Sequence, residues 1–195
     1  MTFAFPAILG PAKIKPRLLS PFVEPESNSG DVETRFLSPG ARYALDVEYP
    51  KMTAENAGLI VGALLRAAAE EVTMPWPQPG LVVGAPGARA LNSGASANAR
   101  IIDVGGNAAA YSVRGGQFFN IVAPDGRRYL HASTQTLNVP GSLRMAPAAR
   151  LELTAGWALD FTTVLIQGFI QGPETGWDVD TAKHYGVSFT IRERK

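Results

Sequence analysis

The side chains of this chain that could do chemistry are few and stand apart. It has two histidines, His131 and His184, and no cysteine, which removes disulfides, thiolate metal sites and thiol nucleophiles. His131-Ala132-Ser133 holds the residue types of an acyl-transfer pair, in which a carboxylate-oriented histidine activates a serine. Adjacent strand positions point to opposite faces and no nucleophile-elbow sequence is present, so an ordinary edge or surface histidine is expected there. His184 follows the loop Asp180-Thr181-Ala182-Lys183. Asp178 and Asp180, in Trp177-Asp178-Val179-Asp180, share one face of an extended segment, where carboxylate oxygens suit a hard cation. Two carboxylates are too few to define such a site, and a solvated loop tip is expected. Gly84-Ala85-Pro86-Gly87 lacks the third glycine of a dinucleotide fingerprint and is not followed by the helix of a phosphate loop. Gly105-Gly106 and Gly115-Gly116 read as turn glycines. Trp76, Trp157 and Trp177, with Tyr43, Tyr111, Tyr129 and Tyr185, could stack on a sugar. They are scattered along the chain, so burial in a core or at an interface is expected instead. No residue is assigned a catalytic, metal-binding or cofactor-binding role, and no enzyme activity or cofactor is expected.

Composition points the same way. At 195 residues the chain suits one large β domain or two small ones. Its 46% hydrophobic residues can build a core, while 18% charged residues is low for a surface that stays uncovered. The 20 glycines and 15 prolines fit many turns and few helices. A net charge of +1, from 18 basic and 17 acidic residues, gives no ground for specific nucleic-acid binding; basic residues gather only at the end, Arg192-Glu193-Arg194-Lys195. Met1-Thr2-Phe3-Ala4-Phe5-Pro6 lacks the basic start and apolar core of a secretion signal. A soluble protein made in the cytoplasm, without membrane contact, is expected.

The elements that must position these residues are mostly short strands. Ile14 to Leu19 is a strand that Pro16 confines to an edge or a bulge. Pro21 to Gly30 is a polar loop. In Arg42 to Tyr49, Tyr43, Leu45, Val47 and Tyr49 fall on one face and Arg42, Asp46 and Glu48 on the other, the period of a half-buried strand. A single helix follows over 53–70, with Thr53 as N-cap and its hydroxyl serving the first free amides. Ala57, Ile60, Val61, Leu64, Leu65 and Ala68 give it one buried stripe. Gly58 and Gly62, four apart, are expected to let a strand or loop pack close; a membrane-type dimer motif is disfavoured because the segment, interrupted by Arg66, falls short of the about 20 apolar residues of a membrane span. Val72 to Val83 is extended and broken by prolines. Arg100 to Val104, Gln117 to Ala123, Arg127 to Ser133, Leu151 to Thr154 and Thr163 to Phe169 are further strands. Pro124-Asp125-Gly126 is a hairpin signal. Gly186 to Arg192 turns Val187, Phe189 and Ile191 inward.

The strand–helix unit before residue 82 needs more strands to cover its apolar face, and the alternating strands after residue 162 are the best source. The expected architecture is therefore mainly β: a discontinuous β-sandwich of residues 1–82 plus 162–195 with one packed helix, and a small inserted β-barrel-like domain of residues 83–161.

The order of features resembles the distal tail protein family of long-tailed, siphovirus-like bacteriophages and related tail-like particles. The segments that carry it are Phe5-Pro6-Ala7-Ile8-Leu9-Gly10, Tyr43-Ala44-Leu45-Asp46-Val47-Glu48-Tyr49-Pro50 leading into Thr53-Ala54-Glu55, and Asn92-Ser93-Gly94-Ala95. Val113-Arg114-Gly115-Gly116-Gln117-Phe118-Phe119, Gly126-Arg127-Arg128-Tyr129-Leu130 and Pro140-Gly141-Ser142-Leu143-Arg144 continue it. Trp177 and the closing run Tyr185 to Glu193 complete it. Tyr43 stands where tryptophan is expected, and Leu64 to Glu71 is unusually alanine-rich. The resemblance implies a β-sandwich with one helix and an inserted barrel. Six copies would form a ring at the tail tip of the virion, made in the host cytoplasm, joining the tail tube to the baseplate hub that bears fibres, with DNA passing through the lumen. No catalytic residues come with it. The alternatives are a carbohydrate-binding β module contacting a host surface glycan, carried by Trp177 or Trp157, and a small hydrolase using His131 or Asp178 and Asp180.

Overall fold

The computed structural model describes residues 1–8, 10–20, 22–23, 36–37, 40–106, 109–172, 176–180 and 184–194, with backbone only at 22–23 and 36–37. The sequence readings on Leu9, on the polar loop up to Gly30, on Thr181 to Lys183 and on Lys195 lie outside the described residues. Among the described residues the chain is mainly β with one helix and a small closed barrel. In order come β1 (Thr2–Ala4), β2 (Lys13–Leu19), the short pair β3 (Phe22–Val23) and β4 (Phe36–Leu37), β5 (Arg42–Glu48), α1 (Ala54–Ala67) and β6 (Glu71–Pro75). Eight strands follow: β7 (Arg89–Leu91), β8 (Ile101–Gly105), β9 (Tyr111–Val113), β10 (Phe118–Val122), β11 (Arg128–Ser133), β12 (Leu137–Val139), β13 (Gly141–Ala146) and β14 (Ala158–Asp160). β15 (Leu165–Ile170), β16 (Trp177–Val179) and β17 (Tyr185–Glu193) close the chain.

Strands from both ends of the sequence form one sheet in the order β1-β6-β15-β17-β5-β2, and β16 pairs with the start of β17. β1 lies parallel to β6, and the other neighbours are antiparallel. The alternating runs dictate the register: Phe189 stands opposite Val47 and Ile191 opposite Leu45, so both inward sets meet on one face. Pro16 sits in β2, the sheet edge, where its missing N–H interrupts no ladder. Gly168 is required where β15 meets β17, because a Cβ there would lie 2.0 Å from the carbonyl oxygen of Arg192.

The helix covers the apolar face through Ala57, Ile60, Ala63, Leu64 and Ala67. This corrects the expected stripe: Val61 is only half-buried, and Leu65 and Ala68 turn away from the sheet, Leu65 being 60% exposed. The helix is apolar nearly all round, so periodicity allows two overlapping stripes. The side with small Ala57, Ala63 and Ala67 sits closer to the strands and takes the core. Thr53 is the N-cap residue, but its hydroxyl makes no capping bond; its carbonyl accepts from Ala57 N–H at 3.0 Å. Gly58 and Gly62 are exposed, and a Cβ at either meets nothing within 4 Å, so among the described residues no strand or loop packs on them. The helix ends at Ala67 and a turn completes the expected 53–70 segment.

The barrel closes in the order β10-β11-β13-β8-β7-β14, with β14 returning to β10. Asp125 and Gly126 make the β10–β11 turn: Gly126 takes φ 83°, and Asp125 Oδ1 accepts Arg127 N–H at 3.0 Å. Phe119, Ile121, Leu143, Met145, Leu153 and Phe161 fill the interior, each worth roughly 1.5–3 kcal/mol on burial. β9 and β12 pair as a separate ribbon. Leu151 to Thr154 is not a strand: Leu153 makes one isolated bridge to Ala95, and its side chain plugs the barrel core.

Candidate functional site: a buried junction and exposed faces

The histidine expected at an edge or surface is instead inside. His131 is 1% exposed, its Nδ1 donates to the Pro147 carbonyl at 2.9 Å, and its ring lies tilted 6.0 Å from that of Phe119. Burial, then the nearby Arg150 charge, lowers its pKa from 6.5 to about 3, so it is neutral at physiological pH. Ser133 is also buried and donates to the Gln135 carbonyl at 2.6 Å, away from His131. His184, Asp178 and Asp180 line one open hollow of about 300 Å³ with Lys51. Asp180 accepts His184 N–H at 2.8 Å and pairs with Lys51 at 3.0 Å, and these contacts hold its carboxyl below the usual range. Among the described residues, no three of His, Asp and Glu converge on a point that suits a metal ion. Gly84 and Gly87 take positive φ in a loop, and so do Gly106 and Gly116; Gly105 and Gly115 do not. Trp76 is core, Trp157 stacks at 6.1 Å on Tyr129, and Trp177 is 39% exposed on β16.

A polar cluster that sequence reasoning passed over lies where the barrel meets the sheet. Glu193 ends the inward series Val187, Phe189, Ile191 and is 2% exposed. Its carboxylate accepts the backbone N–H of Tyr43 on β5 at 3.2 Å and of Leu130 on β11 at 2.8 Å, and it pairs with the buried guanidinium of Arg150. The Tyr43 hydroxyl donates to the Ala146 carbonyl at 3.1 Å; burial, then the Glu193 charge, pushes its pKa up. Asn120 on β10 both donates to the Leu165 carbonyl at 2.9 Å and accepts Leu165 N–H at 2.7 Å on β15. Gln167 on β15 accepts Arg128 N–H of β11 at 3.0 Å and donates to Glu71 at 2.8 Å. Arg128 pairs with Asp160 at 2.8 Å, and Tyr43, Trp76 and Phe118 pack their rings 5.1–5.4 Å apart. One sign of the cluster was visible beforehand: an acid in register with an apolar inward set. Nothing in the local pattern marks Asn120, Gln167 or Arg150.

These contacts give the cluster a mechanical capacity. Buried side chains that bridge two sheets lose their bonds together if either sheet moves, so they hold barrel and sheet in one arrangement. The exposed faces differ in kind. The open hollows on the sheet, about 420 Å³ beside Lys13, Lys15, Asp46 and Glu48 and about 470 Å³ beside Glu71, Arg127 and Arg194, carry both signs of charge. β2 guards its edge with Pro16, Lys13, Lys15 and Arg17, whereas β16 exposes Trp177 and Val179. No helix among the described residues is long and apolar enough to cross a membrane. Comparison with known proteins gives no matching family model and no matching curated protein.

Proposed function

We propose that the chain is a structural protein of a phage tail tip, forming a ring of six copies that joins the tail tube to the baseplate hub. The observation that carries this reading is the topology. Both chain ends share one sheet with a single helix, while a closed barrel is built from the middle of the sequence. That is the order the distal tail protein resemblance implies, with residues 1–82 plus 162–195 as the ring-forming unit and 83–161 as the insert. The stitched junction suits a part that must transmit position rather than turn over a substrate. Sheet edges at β1 and β16 offer strand-to-strand contacts, and head-to-tail contacts close into a ring when the rotation fits.

Sizing the purified chain by light scattering, alone and mixed with tail-tube and hub proteins, tests the reading. A ring of six copies, or two such rings paired, is expected alone or with those partners; a persistent monomer that binds neither overturns it. A second reading, glycan binding by the β module, is favoured by the exposed ring of Trp177. It requires glycan binding on an array or by calorimetry that Trp177→Ala or Trp157→Ala abolishes.

A further inference from the structure

Apart from the contacts of Arg66 with Phe3 and Glu70, the outward face of α1 stands exposed among the described residues. The 14-residue helix AENAGLIVGALLRA carries two charges, Glu55 and Arg66, and a helix apolar on all sides belongs in a buried setting. Glu55, Gly58, Leu59, Gly62, Leu65, Arg66 and Ala69 are all exposed and follow one another at three- and four-residue steps, with Leu59 58% and Leu65 60% accessible. Glycine inside a helix is unfavourable relative to alanine, and neither Gly58 nor Gly62 is required by any neighbour among the described residues. Their use is explained if another backbone comes close.

The charges say which partner. On a helical wheel Glu55 and Arg66 stand on the same flank of the stripe, one on each side of its midpoint near Gly62. Two antiparallel copies related by a two-fold axis set like flanks together, so each Glu55 meets the other copy's Arg66. A parallel pair sets opposite flanks together and does not. Glu55 makes no ion pair among the described residues. Arg66 is held outward over the Phe3 ring at 4.3 Å and shares its guanidinium with Glu70 at 2.9 Å, leaving further donors. With Gly62 at the crossing, Leu65 of one copy lies over Gly58 of the other on the opposite flank, and the glycines admit the close axis.

We infer that α1 is a self-association surface, pairing antiparallel with α1 of a second copy about a two-fold axis. The contact is isologous, so it is separate from the head-to-tail contacts of a ring and doubles whatever species forms without it.

Charge reversal tests it. Glu55→Arg alone sets like charges together across the axis, as does Arg66→Glu alone, so each variant is expected at half the wild-type mass in sedimentation velocity. A one-to-one mixture restores both opposite-charge pairs and regains the wild-type mass. Gly62→Arg, at an exposed position where arginine is the better helix former, sets arginine against arginine and also halves the mass without disturbing the fold. The inference is overturned if the variants keep the wild-type mass, or if Gly62→Arg halves it but the mixed charge variants, folded by circular dichroism, stay at half mass. Charge variants that do not fold leave the decision to Gly62→Arg, which overturns the inference by keeping the wild-type mass. A ring reading that fails leaves this test intact, since the factor of two is read on any species.

Discussion

The junction and the outer face of α1 are opposites. At the junction, carboxylate, guanidinium and amide groups are buried: Glu193 is 2% exposed and bonded to two backbone amides and Arg150. On the helix, Leu59 and Leu65 stand in water beside two glycines that contact nothing. Buried polar groups require internal partners, and those partners fix one arrangement of barrel and sheet. Exposed hydrocarbon has no internal partner to lose. The first region is bonded mostly within one chain, with Arg150 Nε and Nη1 and Trp76 Nε1 buried and without a hydrogen-bond partner among the described residues, and the second leaves apolar surface exposed.

The largest effect expected from breaking that contrast is at Glu193. Glu193→Ala strands Arg150 and two amides in the interior, and the loss should be about 3–5 kcal/mol in chemical denaturation. Gly168→Ala forces a Cβ into the Arg192 carbonyl and should cost about 2–3 kcal/mol in the same assay. His131 sharpens the point through pH. Its folded pKa, about 3, lies below the unfolded 6.5, so over that interval the unfolded chain binds the extra proton. Stability should therefore be full above pH 6.5 and fall by up to about 1.4 kcal/mol per pH unit below it, and His131→Gln should flatten that slope. The smallest effect belongs to the helix face: Leu65→Lys should change monomer stability by no more than about 0.5 kcal/mol, read from thermal melts under dilute conditions.

The sequence was most legible where one face alone is buried. β17 alternates, and β5 does so apart from buried Ala44, so their spans, inward residues and shared sheet could be reasoned out, and Asp125-Gly126 marked its hairpin. The helix was located but its buried side was not, because apolar residues on two overlapping stripes leave the period without a direction. β7, β9, β12 and β14 have three residues each, too few to display any period, and only closure of the barrel makes them strands. The junction was hidden for another reason. Asn120 meets Leu165 and Arg150 meets Glu193 across 45 and 43 positions, and long-range polar pairing leaves no local mark. His131 followed the same rule: a strand histidine reads as surface until a barrel closes around it.

The account holds that this chain is completed by assembly, with its rigid parts fixed inside and its apolar face left for a neighbour. Sedimentation velocity of the wild-type protein across a concentration series, with and without tail-tube protein, tests this most directly. The expected result is a species heavier than the 20.7 kDa chain that grows with concentration or on mixing. A single monomer boundary under every condition would contradict it.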